Sequence, residues 1–382
     1  MKKVLALLLT ATLSFGILAG CNQTTPASQP SSGQQAAQET AGGDNSKEAA
    51  APIAPVESEG FNPDEADGME FKQVREQFGA VPAIDGSLQL GAVAKAFENE
   101  YWRTLKEGYE HSQSILQSAG YDVTIDVRSP QGENDEQGQL AIVMDMLNKK
   151  YDGLMLSPIS DGNLVPGVDD ALKAGVPVVN VNDGLIANAP NFVGPKAIQN
   201  GELAAEWISN KLGGEGKVAI VIGMPKAFAA RQRTAGFEQY MAANAPGIEI
   251  IEKQNADWDR AKAKDLADTW IKKHPDLKAI FCNNDTMALG VVEAVKASGL
   301  DILVVGVDGI GEAYDSIRAG GLSATIDSFP FYKAQIATEC TLRVMQGQEL
   351  PRVIWTPQAL IDSTNVDTPA ADIIGWEEAV FS

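Results

Sequence analysis

From Leu88 onward, short apolar runs alternate with amphipathic stretches. The runs fall at 88–93, 122–127, 153–157, 177–181, 217–222, 248–252, 278–282, 302–307 and 322–326. Between most of them the period is helical. Residues 102–119, for example, set Trp102, Leu105, Tyr109, Ile115 and Leu116 at helical spacing before Gly120. Strand–helix alternation on this scale predicts an α/β fold, parallel sheets with helices on both faces. A span of about 295 residues is large for one such sheet, so two doubly wound lobes are expected.

In doubly wound sheets ligands bind beyond the carboxyl ends of the strands. Lys95, Asn99, Tyr101 and Trp102 follow the first run, and Asn182 with Asp183 follows 177–181. Arg231 comes after 217–222, and Asp257, Trp258 and Asp259 come after 248–252. Asn283, Asn284 and Asp285, then Asp308, then Asp327 and Ser328 close the series. Amides, acids, an arginine and large aromatics recur at strand after strand. Carboxylates and amides take pairs of neighbouring hydroxyls, Arg supplies a fork of donors, and flat rings cover C–H patches. The set suits a neutral polyhydroxylated ligand. Singly, each residue has a plainer use: Asp285 caps a helix, Asn182-Asp183-Gly184 reads as a turn, and Tyr101 or Trp102 could be core.

The chain start changes the picture. Lys2 and Lys3 precede an apolar stretch, Val4 to Leu18, that ends in Leu18-Ala19-Gly20-Cys21. It is short for a membrane span and lacks following basic residues. The segment resembles a bacterial lipoprotein signal, which implies cleavage after residue 20 and lipidation of Cys21. The protein is then expected outside the cytoplasm, lipid-anchored to the outer face of the bacterial cytoplasmic membrane, or periplasmic. Residues 21–86 are rich in Gln, Ser, Thr, Ala, Pro and Gly and read as a disordered tether. Phe71, Val74 and Phe78 could form one amphipathic turn within it, without an assigned role.

Composition narrows the function. Net charge is −21, with 30 basic against 51 acidic residues among 382, which argues against a nucleic-acid or anionic-membrane surface. Two histidines, His111 and His274, and three cysteines leave little for a zinc site or a Cys–His nucleophile. No metal and no cofactor are expected. Cys282 and Cys340 read as buried free thiols.

By its strand-end residues the chain resembles the sugar-binding lipoproteins of the type I periplasmic-binding-protein family, in the ribose/galactose group, over roughly 87–365. The segments that carry the likeness are Ala230-Arg231-Gln232-Arg233-Thr234-Ala235-Gly236-Phe237, Ala256-Asp257-Trp258-Asp259-Arg260-Ala261, Asn283-Asn284-Asp285-Thr286-Met287-Ala288-Leu289-Gly290 and Val304-Val305-Gly306-Val307-Asp308-Gly309. The resemblance implies that Asn99, Tyr101 and Trp102 give an amide and stacking rings. It makes Arg231, Asn284 and Asp308 the arginine, asparagine and aspartate ligands and Trp258 the aromatic cover. Ser328 falls where the family has Gln or Asn, and Asp183 puts an anion where the family has a cation. The run of oxygen ligands needed by a calcium loop is absent.

The implied lobes are 87–195 plus 328–356 and 196–327 plus 357–382, joined by a three-segment hinge near Pro195-Lys196, Asp327-Ser328 and Thr356-Pro357, with a ligand cleft between them. The implied function is capture of a hexose or pentose by lobe closure and delivery to the membrane subunits of an ABC permease, by a monomer that is not an enzyme. Two alternatives share the sequence. A loaded protein could be read by a membrane sensor, with a polyol or autoinducer-2-like ligand. Alternatively Asp257, Asp259, Asp308 and Asp327 could supply a carboxylate pair for glycoside hydrolysis in an exported enzyme.

Overall fold

The computed structural model describes residues 50–381; the signal segment, Cys21 and the first part of the expected tether lie outside them. In chain order the elements are β1 (Met69–Glu70), α1 (Phe71–Phe78), β2 (Ser87–Val93), α2 (Glu100–Ser118), β3 (Asp122–Arg128), α3 (Glu136–Asn148), β4 (Gly153–Leu156), α4 (Val165–Lys173), β5 (Val178–Val181) and β6 (Asn191–Gly194). They continue with α5 (Ala197–Leu212), β7 (Glu215–Ile222), α6 (Phe228–Asn244), β8 (Gly247–Asn255), α7 (Arg260–Lys273), β9 (Leu277–Cys282), α8 (Asp285–Ser298), β10 (Leu303–Asp308), α9 (Gly311–Arg318) and β11 (Ala324–Asp327). The last are α10 (Pro330–Met345), β12 (Val353–Trp355), β13 (Ala359–Asp362) and α11 (Ala370–Ile374).

Two sheets result, as the alternation predicts. One is wholly parallel in the order β1-β12-β6-β5-β4-β2-β3. The other runs β13-β11-β10-β9-β7-β8, with only β13 antiparallel. Every residue of β4, β5 and β11 is buried, as strands covered by helices on both faces require. Lobe 1 is closed by α10 against α2, where a Cβ on Gly108 would lie 2.1 Å from the Phe331 carbonyl oxygen. In lobe 2, Phe237 stacks on Phe281 with centroids 4.8 Å apart. Cys282 and Cys340 are buried and unpaired. Among the described residues no helix is long and apolar enough to cross a membrane, and no group of three or more acidic, His or Cys side chains could hold a metal ion.

The chain passes between the sheets after β6, after β11 and after β12. Two further segments depart from the expected boundaries. The tether expected to reach residue 86 is ordered structure from Ile53 on. Ile53 bonds to the Leu172 carbonyl at 2.9 Å, β1 adds an edge strand beside β12, and α1 buries Phe71 and Val74. Asp64 accepts from the amides of Ala197 and Ile198 at 2.8 and 2.9 Å, an anion at the N-terminus of α5. The segment's apolar residues are too sparse to form a core of their own, but Phe71, Val74, Val81 and Ile84 are buried in the core of the domain. At the other end, Arg318 of α9 holds Val366 and Asp367, after which the chain returns to lobe 1. There Trp376 stacks on Phe71 and Val380 accepts from the Val81 amide. Residues beyond about 369 therefore pack with lobe 1, not with the second lobe.

Candidate functional site

The carboxyl ends of both sheets face each other across a narrow, nearly closed polar cavity. From lobe 1, Lys95 follows β2 and lies 4.0 Å from Asp183 and 5.3 Å over the Trp102 ring. Asn99 caps α2, accepting from the Tyr101 amide at 3.0 Å, and donates to Glu133 at 3.1 Å. The Trp102 indole donates to the same Glu133 oxygen at 2.8 Å. Tyr101 and Trp102 meet edge to face, 4.9 Å apart. After β5, Asn182 takes a positive φ of 72°, which Asn tolerates better than most residues, and turns Asp183 into the cleft.

Lobe 2 brings Trp258, Asn284, Asp308, Ala229 and Arg233. Trp258 packs against Gly223: a Cβ there would sit 2.1 Å from the ring, so only glycine seats it. Asn284 caps α8, accepting from Met287 at 3.0 Å. Asp308 takes a φ of 137°. Its loop is pinned by Asp285, which accepts from Gly309 and Ile310 at 2.8 and 3.2 Å and from the Thr325 hydroxyl at 2.7 Å.

Of the residues expected at the site, Lys95, Asn99, Tyr101, Trp102, Asn182, Asp183, Trp258, Asn284 and Asp308 all line this cavity. Arg231 does not. Its guanidinium is out at the rim, bonded to Asp161 and to the Pro225 carbonyl. The arginine inside is Arg233, two residues on, which pairs with Asp183, donates to the Asn283 carbonyl at 2.5 Å and lies 3.4 Å from Asp308. Two helical residues are about 200° of rotation, so 231 and 233 point to opposite sides. Arg233 shares its face with buried Ala230 and Phe237, a spacing the sequence does display. Ser328 is fully buried beneath the wall and touches Tyr101 and Lys333. Glu133 follows β3 in the loop before α3, a strand-end position that the sequence reading passed over, whereas Lys333 lies inside α10 and carries no such signal.

Charge is balanced within the site. Burial pushes the Asp183 carboxyl up, but Arg233, Lys95 and Lys333 outweigh it and hold it below the usual range. Burial lifts Asp308 well above its ordinary value against Arg233, and Asp285 adds to the rise. Glu133 is raised by burial in spite of Lys95. A lined chamber of this kind offers acceptors, donors and two ring faces at once, from both sides.

A polar chamber shut between two parallel-sheet lobes defines a two-lobed ligand-binding protein. The model of the periplasmic binding protein domain matches residues 90–349, and the chain belongs to that family. It is 32% identical to the ribose import binding protein of Bacillus subtilis (strain 168) over 272 residues, 71% of this chain and 86% of the relative. It is 35% identical to the D-allose-binding periplasmic protein of Escherichia coli (strain K12), over 63% of this chain and 79% of the relative. Among solved structures, a periplasmic solute-binding protein from Actinobacillus succinogenes 130z with bound D-allose aligns with a TM-score of 0.67 at 28% identity. That alignment covers 74% of this chain and all of the other.

Proposed function

We propose that this protein is an extracytoplasmic substrate-binding lipoprotein that captures a monosaccharide between its lobes and delivers it to an ABC importer, performing no chemistry itself. The observation that carries the reading is the pairing of rings and charged hydrogen-bonding groups around one small cavity. Asp183, Glu133 and Asp308 accept from ring hydroxyls, Arg233 and Lys95 donate to them, and Trp102 and Trp258 cover the apolar faces. The ribose- and allose-binding relatives support a monosaccharide as the ligand. Of the acids that a hydrolase would need, Asp327 is committed to the Phe329 amide and the Tyr314 hydroxyl. Cys21 would carry the lipid, and the ligand-binding unit would act as a monomer.

A thermal-shift screen over D-ribose, D-allose, other aldoses and ketoses, and polyols tests the ligand class. At a hundredfold excess over its Kd, a true ligand stabilises by about 2.7 kcal/mol. A chain that no sugar or polyol stabilises would contradict the proposal. For the anchor, Cys21→Ser should release the protein from membranes and remove the lipid mass; a variant that stays attached with no mass change beyond the substitution would refute it.

A further inference from the structure

Directly beneath the lobe 1 wall, near the start of α10, lies a buried lysine that the ligand chamber itself does not use. The Lys333 ammonium is 2.7 Å from the Tyr101 hydroxyl, 2.7 Å from Asn182 Oδ1 and 3.1 Å from Ser328 Oγ. An ammonium has three N–H donors, and here three oxygens receive them. The consequences propagate one way. Having accepted from Lys333, the Tyr101 hydroxyl donates to Asn182 Oδ1 at 2.6 Å. With Oδ1 taken by two donors, the Asn182 amide nitrogen must face away, and it donates to Asp183 Oδ1 at 2.7 Å. The other Asp183 oxygen receives Arg233 from the opposite lobe. One cation at the lobe junction thus orders a line of protons that ends on the carboxylate facing the cavity. Charged and mutually polarised bonds of this kind are the stronger ones.

We infer that Lys333 is a positioning residue for ligand capture: its ammonium sets the amide orientation of Asn182 and the hydroxyl direction of Tyr101, and so keeps Asp183 aligned on Arg233 and ready for the ligand. The inference rests on the sugar-capture reading for its effect on affinity, though not for the hydrogen-bond order itself. The charged groups around the ammonium are Asp183 after β5, Arg233 from α6, Asp308 from β10 and Asp327 from β11. Burial brings Lys333 down to about 7, and burial lifts Asp327 to about 7, so both titrate in one range and need separate variants. Loss of the third donor as pH rises leaves one of the three oxygens unserved, and affinity falls.

The test compares wild type, Lys333→Met and Asp327→Asn, with D-ribose and D-allose as probes by calorimetry at about pH 6 and about pH 8.5. At the lower pH, Lys333→Met should bind about tenfold more weakly than wild type. Wild type and Asp327→Asn should both lose affinity as pH rises, while Lys333→Met should not. Equal affinity and equal pH slopes in wild type and Lys333→Met would overturn the inference. A ligand-free measurement keeps the question open to refutation if that variant fails to fold or if neither sugar binds. The Asn182 side-chain amide resonance, identified by its loss in Asn182→Asp, should titrate near neutral pH in wild type and in Asp327→Asn. A resonance that stays flat in wild type overturns the positioning role. If instead it titrates while no sugar or polyol stabilises the protein, the sugar reading fails and the hydrogen-bond order stands.

Discussion

Arg233 and Arg231 stand two residues apart on one helix, and each crosses the cleft to an aspartate of the opposite lobe. Their surroundings make them different objects. The Arg233 side chain is 3% exposed and its partner Asp183 5%, whereas Arg231 and Asp161 are 45% and 33% exposed. At the rim, where Lys226 also meets Glu136, water screens the charges and such pairs contribute little. Inside, neither charge has water to fall back on, so each is committed to its partner.

The comparison breaks most sharply at Arg233. Arg233→Ala takes the hydrogen-bonded counter-charge from buried Asp183, which keeps only Lys95 at 4.0 Å and the more remote Lys333, and from Asp308, and should cost about 3–5 kcal/mol of stability and at least about a hundredfold in sugar affinity. Urea unfolding and calorimetry measure both. Affinity within a few-fold of wild type would mean that the inner pair is no more important than the outer one.

Next in size is Gly223→Ala, which adds a methyl group where the Trp258 ring lies. Overpacking of this kind costs about 1–3 kcal/mol, and it should appear in binding, because the ring covers the chamber. Retained affinity with an unmoved tryptophan fluorescence spectrum would remove Trp258 from the ligand contacts.

A third test contrasts two buried carboxylates. Asp183 has an arginine and is held low, while Asp64 relies mainly on backbone amides, and burial lifts it to about 6. A carboxyl raised above its unfolded value contributes stability that is present below about pH 4 and is lost as pH rises through about 6. Asp64→Asn removes that loss. Relative to wild type, it should gain about 1 kcal/mol in urea stability between about pH 5 and about pH 7.5. A constant gap between the two proteins across that range would show that Asp64 does not titrate there.

Smallest is the rim itself. Arg231→Ala combined with Lys226→Ala should change affinity by less than about twofold, with any effect confined to low salt. A tenfold loss would return Arg231 to the site.

Much of the cleft was legible because strand ends are legible. The nine apolar runs all became strands, and the polar residues after them converge by topology alone. What escaped did so for identifiable reasons. The strands β6 (Asn191-Phe192-Val193-Gly194) and β12 (Val353-Ile354-Trp355) offer apolar spans of only two and three residues, against the five or six read elsewhere, too few to register. The arm from Ile53 to Ile84 has a tether's composition, and Phe61 and Phe71 find their partners only across long sequence separations. Lys333 interrupts a helix face that otherwise buries Ile336, Ala337 and Cys340, a visible oddity whose partners the sequence does not name.

By itself the sequence determined the α/β alternation, the two-lobed division and the chemical character of the strand ends, since these follow from local period and from the rule that parallel strands point one way. Its first twenty residues resemble a lipoprotein signal and lie outside the described residues. Only the tertiary structure decided which arginine enters the chamber, because helix phase relative to the opposite lobe is not a local property. The same holds for Glu133 beside Trp102, for Lys333 beneath Asn182 and for Asp64 on α5. Each places a charge or dipole against a group far away in the chain, and burial, which sets the strength of every such contact, exists only once the lobes are packed.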